Sequence, residues 1–150
     1  MSLQLRATPE LVAEAWLKTV VGDRVATTLP KDNTTWSASG FCTLVTAGGT
    51  PNLYVPLRDP VIGVDCWAVN PNSQKPPWDR AAMLAEAIQA ACYDHPAIPQ
   101  ILTLGKPGFP QARVLSAYTT GEHRRIHDDA SSYARYSIPG LVIAWTEIPA

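Results

Sequence analysis

Twelve basic and thirteen acidic side chains are spread along 150 residues with no basic block, so binding nucleic acid by neutralising phosphates is not expected. An apolar fraction of 46% and a charged fraction of 17% are those of an ordinary soluble globular chain, long enough for one domain (1–150) with a full core. No apolar run approaches the ~20 residues of a membrane span, and the opening MSLQLRATPELV lacks the basic start and apolar core of a secretion signal.

Thr8-Pro9-Glu10 reads as a helix start: an N-cap hydroxyl, a proline at the first helical position and an acid facing the positive helix end. Leu11, Val12, Ala15, Trp16 and Val20 form its buried side, Glu14 and Lys18 pair on the wet side, and Gly22 stops it. Val25 to Leu29 is a short strand candidate, and Pro30 to Ser39 a polar loop carrying Trp36. A strand over Phe41 to Ala47 precedes the turn signal Gly48-Gly49-Thr50-Pro51-Asn52. Leu53 to Leu57 then returns as an edge segment, because Pro56 cannot donate to a central ladder.

Val61 to Asp94 organises the rest. Ile62, Val64, Cys66 and Ala68 alternate on one apolar strand face, with Gly63, Asp65 and Trp67 on the other. After a Pro-rich corner, Ala81, Leu84, Ala85, Ile88 and Cys92 recur at three- and four-residue steps as the stripe of the longest helix. Asp79 serves as its N-cap or first-turn acid, and Pro96 ends it at His95. Ile101 to Leu104 is a brief edge strand and Ala112 to Thr120 a longer one. Gly121 to Ser132 reads as a charged connection, followed by two strands, Tyr133 to Ile138 and Leu141 to Ile148, broken at Pro139-Gly140. The sum is an α+β fold of two layers, two main helices on a mixed or antiparallel sheet.

Chemistry-bearing patterns are few. Cys42, Cys66 and Cys92 are odd in number and embedded in apolar patterns, which reads as buried thiols of a reducing, cytoplasmic compartment. Glu122, His123, His127, Asp128 and Asp129 would chelate zinc only if helical; the flanking strands and Arg124 and Arg125 favour a solvated loop or subunit rim, so no metal site is assigned. No nucleophile–base motif and no phosphate-binding glycine loop is present, so no catalytic or cofactor-binding residue is assigned either. Asp65, an acid inside an apolar strand, needs a partner; it is an interface or catalytic carboxylate, or, the favoured reading, a structural hydrogen-bond acceptor. Trp16 and Trp145 sit in core patterns, whereas Trp36 and Trp78 lie in loops and need cover from folding back or from a neighbouring subunit. The face holding Asp65 and Trp67 must likewise be covered, by a neighbouring subunit or by one helix on each face, and the Ala-rich rear of the second helix (Ala82, Met83, Ala87, Ala90) reads equally as a surface for close approach by another backbone or as helix propensity alone. Trp36, Asp65, Trp67, Trp78, Arg124 and Arg125 are the interface candidates.

Val-Asp-Cys-Trp-Ala (64–68), Pro-Pro-Trp-Asp-Arg-Ala (76–81) with Leu-Ala-Glu (84–86), the opening P-E-L-V-A-E-A-W-L helix, the stretch from Gly48 to Arg58 and the closing A-R-Y-S-I and L-V-I-A-W strands together resemble tail terminator proteins of siphophages that infect actinobacteria. That resemblance spans nearly the whole chain. It implies a small α+β virion subunit that forms a ring, commonly a hexamer, on the head-proximal end of the tail. Such a ring halts tube polymerisation and docks to neck or stopper proteins, with DNA passing through its lumen. It implies no enzyme, no cofactor and no membrane, with assembly in the host cytoplasm. The near-neutral charge suits a lumen that must not hold DNA. The loops at Thr34 to Gly40, Gly48 to Asn52 and Gly121 to Ser132 are candidate contact surfaces. The alternatives are another head–tail connector, such as a stopper or tail-completion subunit, or a small cytosolic enzyme or ligand-binding domain using Asp65 and histidines.

Overall fold

The computed structural model describes residues 5–37, 39–70, 75–126 and 133–148. Helix α1 (Pro9–Val21) starts as its sequence dictates: the Thr8 hydroxyl accepts from the Leu11 N–H at 3.3 Å, Pro9 opens the first turn, and Gly22 at φ +70 ends it. Its buried face is Val12, Ala13, Trp16, Leu17 and Val21, rotated from the expected stripe, so that Leu11, Ala15 and Val20 lie at its margin. Alanine and leucine at 13 and 17 complete an equally regular stripe, and packing against the second helix selects it. Helix α2 (Trp78–Tyr93) buries Ala81, Leu84, Ala85, Ile88 and Cys92, the expected five. Asp79 sits in its first turn rather than at the N-cap, where Pro77 offers no side-chain bond. The helix closes at Tyr93, before His95-Pro96, as the Asp94 N–H tightens onto the Ala91 carbonyl at 3.2 Å.

Among the described residues, eight strands form one mixed sheet: β1 (Val25–Ala26), β2 (Phe41–Gly48), β3 (Leu57–Arg58), β4 (Val61–Ala68), β5 (Gln100–Leu102), β6 (Ala112–Thr119), β7 (Arg124–Ile126) and β8 (Ala134–Glu147). The order is β1-β2-β4-β8-β6-β5, with β1 parallel to β2 and the other neighbours antiparallel. The short strands β3 and β7 also pair with β8. Both helices cover one face, where Cys42, Leu44, Ile62, Val64, Cys66, Ile138, Leu141, Ile143 and Trp145 join their buried stripes in one core. The fold is thus a two-layer α+β arrangement with the helices segregated to one side.

Three local expectations change. The closing pair of strands is one strand of 14 residues, because Pro139-Gly140 forms a bulge instead of a break. Ile62 pairs with Leu141 and Val64 with Ile138, so two residues of β8 oppose Gly63 alone. Pro139, which has no N–H, therefore falls where β4 claims no donor, and β8 continues on its other side of the bulge with the Gly140 carbonyl accepting from Thr120 N–H at 2.8 Å. The segment 53–56 is not a strand; only Leu57 and Arg58 pair, with Thr146 and Trp145. Within the charged connection, Arg124–Ile126 forms β7 against residues 135–137 of β8, and 127–132 lie outside the described residues.

Further bulges at Ala47 in β2 and at Leu115 in β6 add to the curl of the sheet. At the start of β2 the chain turns through Gly40, at φ +80, whose added Cβ would lie 3.0 Å from the Trp67 carbonyl and against Leu84. Gly40→Ala is expected to lower the unfolding free energy by about 1–2 kcal/mol, read as a drop in the urea midpoint with an unchanged slope. An unaltered midpoint would mean that this turn is not held in the left-handed region.

Candidate functional site

On the face away from the helices, Asp65 finds its partner in the adjacent strand: Arg135 Nη2 donates to its Oδ2 at 2.9 Å. The pair is diagonal, since Asp65 stands opposite Ser137 and Trp67 opposite Arg135. The same guanidinium lies over the Trp67 ring, 5.2 Å from its centre. Trp67 also donates from Nε1 to Thr43 Oγ1 at 3.0 Å. Asp65 is thus held in a structural contact, with its side chain only a quarter exposed.

Trp36 covers one end of this face by folding back. It is 3% exposed and packs with Phe41, Val69, Trp67 and Tyr133, its ring 5.9 Å from Tyr133 and 6.1 Å from Phe41. Arginines pin the loop that carries it: Arg80 donates to the Ser37 carbonyl at 2.7 Å and Arg24 to the Ser39 carbonyl at 2.9 Å. Trp36, Asp65 and Trp67 therefore belong to one cluster. The remainder of the face stays open and carries Val45 at 58% exposure, with Tyr118 and Ile101 also exposed.

Trp78 and Arg125 form a second cluster on the helix side, where Arg125 stacks 4.7 Å over the Trp78 ring and Trp78 meets Tyr136 edge-on. His123 packs beside Tyr136 and donates from Nε2 to Glu86 Oε1 at 3.1 Å. Strand alternation sends Arg124, opposite Ser137, to the open face, and Arg125, opposite Tyr136, to the helix face. Asp65 and His123 are accordingly on opposite sides of the sheet and do not converge on one reacting centre. Of the possible zinc group, His127, Asp128 and Asp129 lie outside the described residues; among the described residues no group of three His, Cys, Asp or Glu is placed to hold a metal.

Sequence reasoning named Gly48 to Asn52 as a contact loop but missed that it continues as an arm between β2 and β3, residues 49–56. It presents Leu53, Tyr54 and Val55 at 83%, 89% and 50% exposure, with no charged residue from Gly48 to Leu57. The arm is nonetheless built. Asn52 Oδ1 accepts from the N–H groups of Tyr54 and Val55 at 2.8 and 3.0 Å, an Asx turn bracketed by Pro51 and Pro56. At its root Leu57 and Arg58 pair with β8, and Arg58 lies 5.3 Å over the Trp145 ring. Gly49, at φ +104, approaches the Asp59–Val61 backbone where a side chain would not fit. Asparagine between two prolines was the available signal; the apolar run after it read instead as a strand. Contiguous exposed apolar side chains on an ordered support mark a contact surface.

The three cysteines are buried and free. Cys42 and Cys66 face each other across β2 and β4 with their sulfurs 3.8 Å apart. Hydrogen bonding to Cys42 and burial push the Cys66 thiol well up, and burial alone pushes Cys92 up to about 11. No helix among the described residues is long and apolar enough to cross a membrane.

No protein-family model matches the sequence, and neither does any curated protein compared with it. Among solved structures, the chain is similar to one described as "Virion of native gene transfer agent (GTA) particle", with a TM-score of 0.49 and 15% identity over 93% of this chain and 90% of that one. What the chain does is therefore read from its own surfaces.

Two outcomes check this geometry. Trp67→Ala should cost about 2–3 kcal/mol of stability, less than for a fully buried tryptophan, while an Asp65/Arg135 double-mutant cycle should give a coupling of about 0.5–1 kcal/mol, as for a partly solvated pair. A wild-type denaturation curve for Trp67→Ala would refute the packing described. With their pKa values raised, Cys66 and Cys92 stay protonated at pH 8, so a thiol-reactive chromophore should label the native chain slowly and all three cysteines at once in denaturant.

Proposed function

We propose that this chain is a structural virion protein that works by assembling, without enzymatic activity. In this reading it forms a ring, hexameric by resemblance, at the head-proximal end of a phage tail. There it ends polymerisation of the tail tube and joins the tail to a neck or stopper protein, leaving a lumen for the genome. The observation that carries the reading is the apolar surface that the subunit leaves exposed beside a well-packed core. Leu53, Tyr54 and Val55 crown an ordered arm, and Val45, Ile101 and Tyr118 lie on an open sheet face. Exposing such groups costs solubility unless another protein covers them. Their separation on the subunit suits heterologous contacts, in which two different patches repeat until rotation closes the circle. The resemblance of residues 48–58, 64–68 and 76–86 to tail terminators supplies the specific assignment. Genome passage through the lumen needs no sequence-specific contact, and the balanced charge agrees with that.

Two other readings remain distinct in their consequences. Another head–tail connector would share the surfaces but not the effect on the tube. An enzyme using Asp65 and histidines is disfavoured by the engagement of Asp65 with Arg135 and of His123 with Glu86, on opposite sides of the sheet.

Electron microscopy and native mass spectrometry of the purified protein should show closed rings with a central hole. Withholding the chain during tail assembly should give tubes of uncontrolled length. Tubes of normal length that fail to join heads would favour the other connector, and a persistent monomer that turns over a small molecule would overturn the proposal.

A further inference from the structure

We infer that Cys42 and Cys66 are a latent disulfide, a pair of thiols that an oxidant converts to a bridge between β2 and β4 in the folded chain. They are register partners in these antiparallel strands, both fully buried, and the Cys42 thiol donates to the Cys66 sulfur at 3.8 Å. Buried cysteines commonly serve as small apolar fillers. The backbone around this pair gives it a chemistry as well.

Opposed residues in an antiparallel ladder either exchange backbone hydrogen bonds or do not, and the second kind stand closer, with Cα atoms about 4.5 Å apart. Cys42 is of the second kind. Its N–H donates to the Arg24 carbonyl at 2.8 Å, on the β1 side, and so points away from β4. The ladder is regular on both sides of the pair, from Phe41 opposite Trp67 to Val45 opposite Gly63. A Cα separation of about 4.5 Å falls inside the roughly 4.4–6.8 Å that a disulfide spans. The bridge therefore needs the two sulfurs to turn toward each other, not the strands to move. Cys92 sits on α2, off this ladder.

With hydrogen peroxide as the oxidant the atoms balance. One thiol loses its proton, its sulfur attacks a peroxide oxygen and the O–O bond breaks; the departing hydroxide takes up that proton and leaves as water. The second sulfur attacks the sulfenic acid so formed, the S–O bond breaks, and another water leaves with the other thiol's proton. Two thiols are oxidised to one disulfide and one peroxide is reduced to two waters. Only a thiolate attacks, and the bond to Cys42 together with burial holds Cys66 protonated, so the first step is slow. The second is fast, because the partner sulfur is already in contact.

The bridge closes a loop whose ends lie 24 residues apart and which holds the arm and β3. It restricts the unfolded chain more than the folded one and so stabilises the fold. If the chain is a virion protein, a step that rests on the reading above, it is built with free thiols in a reducing cytoplasm and stapled after release.

The test holds the full chain for hours in a small excess of hydrogen peroxide without denaturant, then unfolds it and counts and maps the remaining thiols by mass spectrometry. The count should fall from three to one, with the Cys42 and Cys66 peptides joined and the near-UV circular dichroism of the reduced chain retained. The bridged chain should melt about 5–10 °C higher, and a reductant should restore the starting value. Cys42→Ala should form no bridge and take up oxygen on Cys66 instead; should that variant not fold, the wild-type map decides alone. Three thiols still free, a bridge that includes Cys92 or joins two chains, or a bridged chain that melts lower or lacks its near-UV signal would overturn this inference and leave the ring reading untouched. A bridged chain that remains monomeric would uphold it and overturn the ring. Chain taken from released particles under thiol-blocking conditions should carry the bridge; free thiols there would overturn only its formation after release.

Discussion

The structure depends on the hydrogen-bond ladders of β8. Fourteen residues long, it pairs with β4 and β3 along one edge and with β7 and β6 along the other. Backbone donors and acceptors buried in a sheet must all find partners, so a central strand of this length fixes the positions of four others. It is also the last of the described strands. The two antiparallel halves, β2-β4 and β6-β5, are joined through it, and the sheet cannot close until residues 134–147 have been inserted between them. The Pro139-Gly140 bulge makes this insertion possible without straightening the sheet, since it bends the strand at the point where its neighbours change from β7 to β6.

From that arrangement the division of surfaces follows. Two helices suffice to cover one face of a sheet, and both α1 and α2 lie on the face of Ile62, Val64 and Cys66. Among the described residues, the other face receives the loop of Trp36 and the side chains of Tyr133 and Arg135 at one end. Asp65 is tolerated there because Arg135 neutralises it where water still reaches both groups, which avoids the heavy cost of a fully dry ion pair. An acid in an apolar strand thus marks the side of the sheet that the helices do not cover.

Much of this was legible from residue order, and the failures have a common physical cause. The α2 stripe, the N-terminal signals of α1 and the alternation of β4 are unbroken periodic patterns, and they read correctly. In β8 the helix-facing residues are Ala134, Tyr136 and Ile138, then Leu141, Ile143 and Trp145. The change of parity at the bulge makes one strand look like two, because a single extra residue sends every later side chain to the opposite face. The arm failed for another reason: Leu53, Tyr54 and Val55 have strand-forming side chains, and nothing in their order says that no strand lies beside them. Trp36 and Trp67 were recognised as needing cover, but which element supplied it depends on a contact between chain segments about 100 residues apart, through Tyr133.

Stiffness connects the fold to its use. Fourteen prolines are concentrated between the regular elements, and two of them bracket the arm. A flexible loop bearing Leu, Tyr and Val would collapse onto the nearest apolar surface of its own subunit and would lose conformational entropy again on meeting another. An arm fixed by an Asx turn, two prolines and a two-residue ladder to β8 does neither: its side chains stay out in water, already in one shape. That arrangement is unfavourable for an isolated subunit, and under the proposed assembly the same exposed residues would supply part of the driving force.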